Sequence, residues 1–98
     1  MGKGTHEFSA DPRNETVFIN VNGVMTPRAE ATISVFDSGF MLGDGVWEGL
    51  RLHRGKIAFL DAHLDRLYEG AKAIAMDVGL SREELTARLN ETIDGKTI

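Results

Sequence analysis

Between Phe36 and Leu67 the chain reads FDSGFMLGDGVWEGLRLHRGKIAFLDAHLDRL, and the side chains that could do chemistry are concentrated there. Arg66 is the sharpest candidate. At about 100° of rotation per helical residue, it lies roughly opposite the apolar stripe of the helix that contains it, so it does not anchor that helix in a core. Two roles remain open for it. It is either a solvated surface arginine or an anion site, because a planar guanidinium grips phosphate or carboxylate through parallel hydrogen bonds. Trp47 and Arg51 share a strand face with Gly49 between them. That arrangement suits an aromatic covering a sheet beside a snorkelling arginine. It suits a pocket wall equally well, with glycine admitting a ligand to the backbone, tryptophan forming a rigid side and arginine meeting a carboxylate. Glu48 falls on the opposite, otherwise apolar face, where burial raises a carboxyl pKa unless a partner is present; a structural polar contact is expected of it.

Other combinations carry less. No residue is an obvious nucleophile paired with a base. His53 and His63 lack the spacing of a local metal pair, and His63 reads as a hydrogen-bonding group at a helix start. Gly43-Asp44-Gly45 is not a phosphate-cradling loop. Gly95-Lys96-Thr97 superficially resembles the end of one, but Asn90 stands where that motif needs its first glycine.

The whole chain bounds these possibilities. Its 98 residues suffice for one domain. An apolar fraction of 42% and a charged fraction of 27% are those of an ordinary globular protein. A formal charge of −4 without a basic run gives no field for nucleic acid or an anionic membrane. With no cysteine there is neither a disulfide framework nor a thiolate metal site. The sequence shows no spanning apolar stretch and no signal-peptide pattern, so a cytoplasmic location is expected.

The elements that must position the candidates follow from local patterns. Residues 1–15 read as a flexible lead or an appended extension, and residues 16–98 as the domain. Thr16 to Val21 is a β-branched, aromatic strand. Asn22-Gly23 is a type I′ hairpin signal, and Val24 to Thr26 returns to Pro27. Ala31 to Val35 is a short strand candidate. Asp37 to Gly45 reads as a loop whose glycines permit unusual backbone. Val46 to His53 alternates as a strand, with Arg54-Gly55 turning it into Lys56 to Phe59. Asp61 is placed as an N-cap for a helix reaching about Asp77. Its stripe is Leu64, Leu67, Tyr68, Ala71, Ile74, Ala75 and Val78, with Gly79 as the stop. Ser81 and Glu84 form a capping box for a last helix carrying Leu85, Leu89 and Ile93, ended by Asp94-Gly95. Strands followed by two helices imply an α+β domain, an antiparallel sheet with both helices on one face.

In order and spacing, Asn22-Gly23, Ile33-Ser34-Val35, Asp37-Ser38-Gly39-Phe40, Gly43-Asp44-Gly45-Val46-Trp47-Glu48 and His63-Leu64-Asp65-Arg66-Leu67 resemble the class IV (fold type IV) pyridoxal-phosphate enzymes. That family comprises branched-chain and D-amino-acid aminotransferases and aminodeoxychorismate lyases. The resemblance covers Val17 to Ile93. It implies a two-domain fold of which this chain is the smaller, N-terminal domain, and a homodimer with pyridoxal 5′-phosphate and the amino acid and 2-oxo acid substrates between domains. Arg66 matches the arginine on the cofactor phosphate, and Trp47 an aromatic flanking cofactor and substrate. Gly49 and Arg51 match neighbouring pocket positions, and Leu42 a side chain reaching the neighbouring subunit's site. The family's Schiff-base lysine and its pyridine-pairing glutamate match nothing here: Lys3, Lys56, Lys72 and Lys96 all stand elsewhere. The resemblance thus implies a fragment with no catalytic residue of its own, inactive alone, and with an open sheet edge. Gly43 to Val46 is similar to D-amino-acid aminotransferases and lyases, whereas Glu48 to Arg51 is similar to branched-chain enzymes. A pyruvate-eliminating lyase and a non-catalytic stand-alone module are the alternatives.

Overall fold

A computed structural model describes residues 12–95. Residues 1–11 and 96–98, including most of the expected lead and the Lys96-Thr97 pair, lie outside the described residues. The chain is α+β, with two small antiparallel sheets and three helices, and divides into two compact units.

Among the described residues, one unit comprises residues 12–32 and 87–95. A 3-10 turn at Pro12–Asn14 leads into β1 (Phe18–Val21), which pairs with β2 (Val24–Pro27) in the register Phe18↔Pro27 to Val21↔Val24. Asn22 and Gly23 take φ of 52° and 90°, as the type I′ turn requires. Asn20 fixes the turn by accepting from the Gly23 N–H at 2.8 Å. Its amide also donates to the Thr92 hydroxyl at 3.0 Å, tying the hairpin to the second half of α3 (Arg82–Gly95).

The other unit comprises residues 33–86. Here the expected strand at Ala31 to Val35 is irregular backbone. The expected loop contains a short helix, α1 (Ser38–Leu42). Asp37 caps it by accepting from the Gly39 N–H at 2.8 Å, and Gly43 ends it at φ 71°. Gly39 serves closeness instead: a Cβ there would stand 3.0 Å from the Asp37 carboxylate. Of the strand expected over Val46 to His53, only β3 (Leu52–His53) pairs, with β4 (Lys56–Ile57), across a turn with Arg54 at φ 51° and Gly55 at φ 79°. One further bond, from the Ala58 N–H to the Arg51 carbonyl at 2.8 Å, extends the ladder. The sheet expected to be single is therefore two separate hairpins among the described residues, because residues 46–50 pack on a helix instead of pairing with a strand.

That helix is α2 (Leu60–Ala73), which carries the buried Leu64 and Ala71. Asp61 is not its cap. Phe59 occupies that position at φ 54° with no side-chain cap bond, and Asp61 lies in the first turn. Nor does Gly79 stop it. Ala75, at φ 55°, closes a Schellman motif in which the Met76 N–H bonds the Ala71 carbonyl (2.8 Å) and the Ala75 N–H the Lys72 carbonyl (3.1 Å). The Tyr68 hydroxyl then donates to the Leu80 carbonyl at 2.6 Å, pinning the connection beyond. The capping box before α3 forms as read. The Ser81 N–H bonds Glu84 and the Glu84 N–H bonds the Ser81 hydroxyl, both at 3.1 Å. Arg82 holds the start of α3 to α2 through Asp65 at 2.8 Å.

Candidate functional site

Residues 46–51 keep the burial rhythm of a strand without its ladder. Val46, Glu48 and Leu50 are half-buried; Trp47, Gly49 and Arg51 are exposed. The inner row lies along one ridge of α2 made by His63, Arg66 and Gly70, spaced three and four residues apart. Val46 sits at the Gly70 end, where its Cγ1 would come within 3.2 Å of an added Cβ. Glu48 sits at the other end, and the segment therefore runs antiparallel to the helix.

There Glu48 Oε1 accepts from Arg66 Nη2 at 2.6 Å and meets His63 Nδ1 at 2.5 Å. First the His63 bond and then the Arg66 bond hold the Glu48 carboxyl below its usual value of 4.5. An ionised carboxylate only accepts, so the proton in the His63 contact resides on Nδ1. That nitrogen cannot also accept from Arg66, and the 3.1 Å separation between them is proximity, not a third bond. The three side chains form one charge-assisted cluster centred on a carboxylate only 17% exposed.

The expected site residues divide around this cluster. Arg66 is neither buried nor free. Its side chain is 65% exposed but held at one end by Glu48, leaving its remaining N–H groups toward solvent. Trp47 is 84% exposed on the outward face, with its Cζ3 3.6 Å from where a Gly49 Cβ would stand, so ring and glycine adjoin as read. Arg51 stands apart, beside a cleft on the β3–β4 hairpin. Leu42 ends α1 and is exposed, as are Ile33, Val35, Phe36, Phe40 and Met41. No hydrogen bond among the described residues joins Leu42 or Arg51 to the cluster.

His63 is the residue whose role sequence reasoning missed. Its backbone N–H bonds the Phe59 carbonyl, as a helix-start residue's would, but its ring serves Glu48. A signal was available: a carboxylate on an apolar face demands partners, and His63 and Arg66 present two at i, i+3. Among the described residues no group of three or more histidine, cysteine, aspartate or glutamate side chains could hold a metal ion. No helix there is long and apolar enough to cross a membrane.

Arg66, held by Glu48, and the exposed Trp47 both lie in the part of the chain shared with known proteins. The family model for amino-transferase class IV matches residues 45–98. A branched-chain-amino-acid aminotransferase-like protein of Arabidopsis thaliana is 45% identical over 82 residues, covering 84% of this chain and 15% of that protein. A putative branched-chain-amino-acid aminotransferase of Methanocaldococcus jannaschii is 41% identical, covering 76% of this chain and 26% of its own. The D-alanine aminotransferase of Bacillus licheniformis is 38% identical, covering 74% and 26%. The chain belongs to the class IV aminotransferase family. It spans about a quarter or less of the length of these relatives.

Proposed function

We propose that this chain is the N-terminal part of a pyridoxal-phosphate-dependent enzyme that transfers an amino group between a branched-chain or D-amino acid and a 2-oxo acid, and that Arg66 grips the cofactor phosphate. The observation that carries this reading is the 2.6 Å bond from Arg66 to Glu48, which aims a guanidinium while leaving most of its donors open. The chemistry of the donor set fits a phosphate dianion. A guanidinium has five N–H groups, and Glu48 takes one of them. Glu48 also places negative charge near the anion. His63 Nδ1–H shares that charge, so Arg66 is oriented without being fully neutralised.

When bound, the cofactor supplies the electron sink that the side chains of this family lack. This chain's residues bind and shape. Glu48 and His63 fix Arg66; Trp47 and Gly49 form a flat wall open to a ligand; Arg51 continues the same outward row; Leu42 extends toward a neighbouring subunit. A homodimer and a cytoplasmic location belong to the same reading. The test is a complete enzyme carrying this segment, supplied with amino donors and 2-oxoglutarate. Turnover to glutamate supports the proposal. Pyruvate release from aminodeoxychorismate, without transamination, would replace it with the lyase reading.

A further inference from the structure

The β3–β4 hairpin carries a feature the cofactor reading does not use. Strand pairing sets Lys56 directly opposite His53, and Arg51 lies two residues before His53, so all three side chains share one face; Arg54 stands at the turn. These residues line an open cleft of about 670 Å³, with Ile57 and Phe59 completing it. That volume is in the range of small-molecule sites. None of the four basic or histidine side chains makes an ion pair or side-chain hydrogen bond among the described residues, in a chain with 15 acidic and 11 basic residues. Uncompensated positive charge on one small face of an acidic chain is an electrostatic invitation to an anion.

Phe59 forms the apolar edge. It is 82% exposed and held at φ 54°, a conformation costly to any residue with a Cβ and common where function over-determines the backbone. Ladder spacing puts Arg51 and the turn cations roughly 7–10 Å apart along the strand. A short polyphosphate spans that distance with a separate anionic group for each cation, which a single carboxylate does not offer. We propose that this hairpin face binds a nucleoside di- or triphosphate, its phosphates on Arg51, Arg54 and Lys56 and its ring on Phe59. This site is separate from the Arg66 cluster and does not rest on the aminotransferase reading. Only Arg51 is common to both, so the test leaves it intact.

The test is a two-dimensional ¹⁵N NMR titration of the full chain with ADP, tripolyphosphate and adenosine in turn. ADP should shift amides of residues 51–59. Combined Arg54→Glu and Lys56→Glu substitutions should weaken ADP and tripolyphosphate at least tenfold. Phe59→Asn, which tolerates positive φ, should weaken ADP about fivefold while leaving tripolyphosphate within about twofold. Absence of shifts in this segment up to about 5 mM ADP, where even a millimolar site would fill, overturns the proposal. So does equal binding by the charge-reversed variant. A glutamate-rich peptide that displaces ADP at lower concentration than ADP itself binds would also overturn it, assigning the face to an acidic protein segment.

Discussion

Replacing Arg66 with alanine in the complete enzyme tests the central assignment most directly. Because Glu48 at 2.6 Å takes one Nη2 hydrogen, the phosphate can draw on the other Nη2 hydrogen together with the neighbouring nitrogen, Nη1 or Nε, that shares its edge. That edge is open, since the side chain is 65% exposed, so solvent competes and the loss is that of about one charge-assisted bond. Such a bond is worth about 1.5–3 kcal/mol, which converts to cofactor dissociation roughly 10- to 150-fold weaker. Arg66→Lys keeps the charge without the fork and should fall between. Glu48→Gln keeps an acceptor for Arg66 and removes the negative charge beside the phosphate, so affinity should hold within about twofold or tighten. Glu48→Ala releases both Arg66 and His63 and should weaken it. Equilibrium dialysis of apoenzyme against pyridoxal phosphate, followed by its absorbance, measures all four. An Arg66→Ala enzyme with unaltered cofactor affinity would return that arginine to the role of a surface ion pair and sink the steering argument with it.

Trp47→Ala should change the ranking of amino donors by kcat/KM more than it changes cofactor affinity; equal loss across donors would argue against a wall role. Leu64→Ala truncates one of only two buried apolar residues among the described residues and should cost about 2–5 kcal/mol, read as a lower urea midpoint. Ala75→Gly relieves about 1–2 kcal/mol of left-handed strain against about 0.5–1 kcal/mol of added chain entropy, so the midpoint should rise slightly; a fall would refute the Schellman assignment. Glu48 titrates below its usual 4.5 in the folded chain. Its cluster therefore stabilises fully above that value and loses its contribution as pH falls through the folded-state pKa. Wild type and Glu48→Gln should differ in stability at pH 6 and converge as the medium is acidified below 4.5; a gap that persists in acid would count against it.

Local grammar was legible in the sequence, and long-range pairing was not. Asn22-Gly23, Arg54-Gly55 and the Ser81–Glu84 box formed as read because each is settled within four residues. The alternation from Val46 to Arg51 correctly sorted inner from outer side chains, yet misnamed the element. Periodicity reports which side is covered and not what covers it, and here the cover is α2. Asp37 and Gly43 bracket a helix with a start and a stop, but Gly39, Gly43 and Gly45 together read as loop. At the site, Arg66, Trp47 and Gly49 stood out by type and position. The Glu48–His63–Arg66 cluster needed contacts 15 and 18 residues apart, which no local rule supplies.

The early end of α2 has a mechanical consequence. Apolar spacing continues through Ala75 to Val78, so the local sequence would carry the helix another turn, yet the chain breaks off at Ala73 through an alanine in a left-handed bend. The helix also reaches past its own end, since the hydroxyl of its Tyr68 clasps the Leu80 carbonyl beyond the bend. The linker between the two long helices is consequently fastened along its length, by a phenol at Leu80, by the reciprocal Ser81–Glu84 bonds and by Arg82 on Asp65, so that the start of α3 is registered against α2.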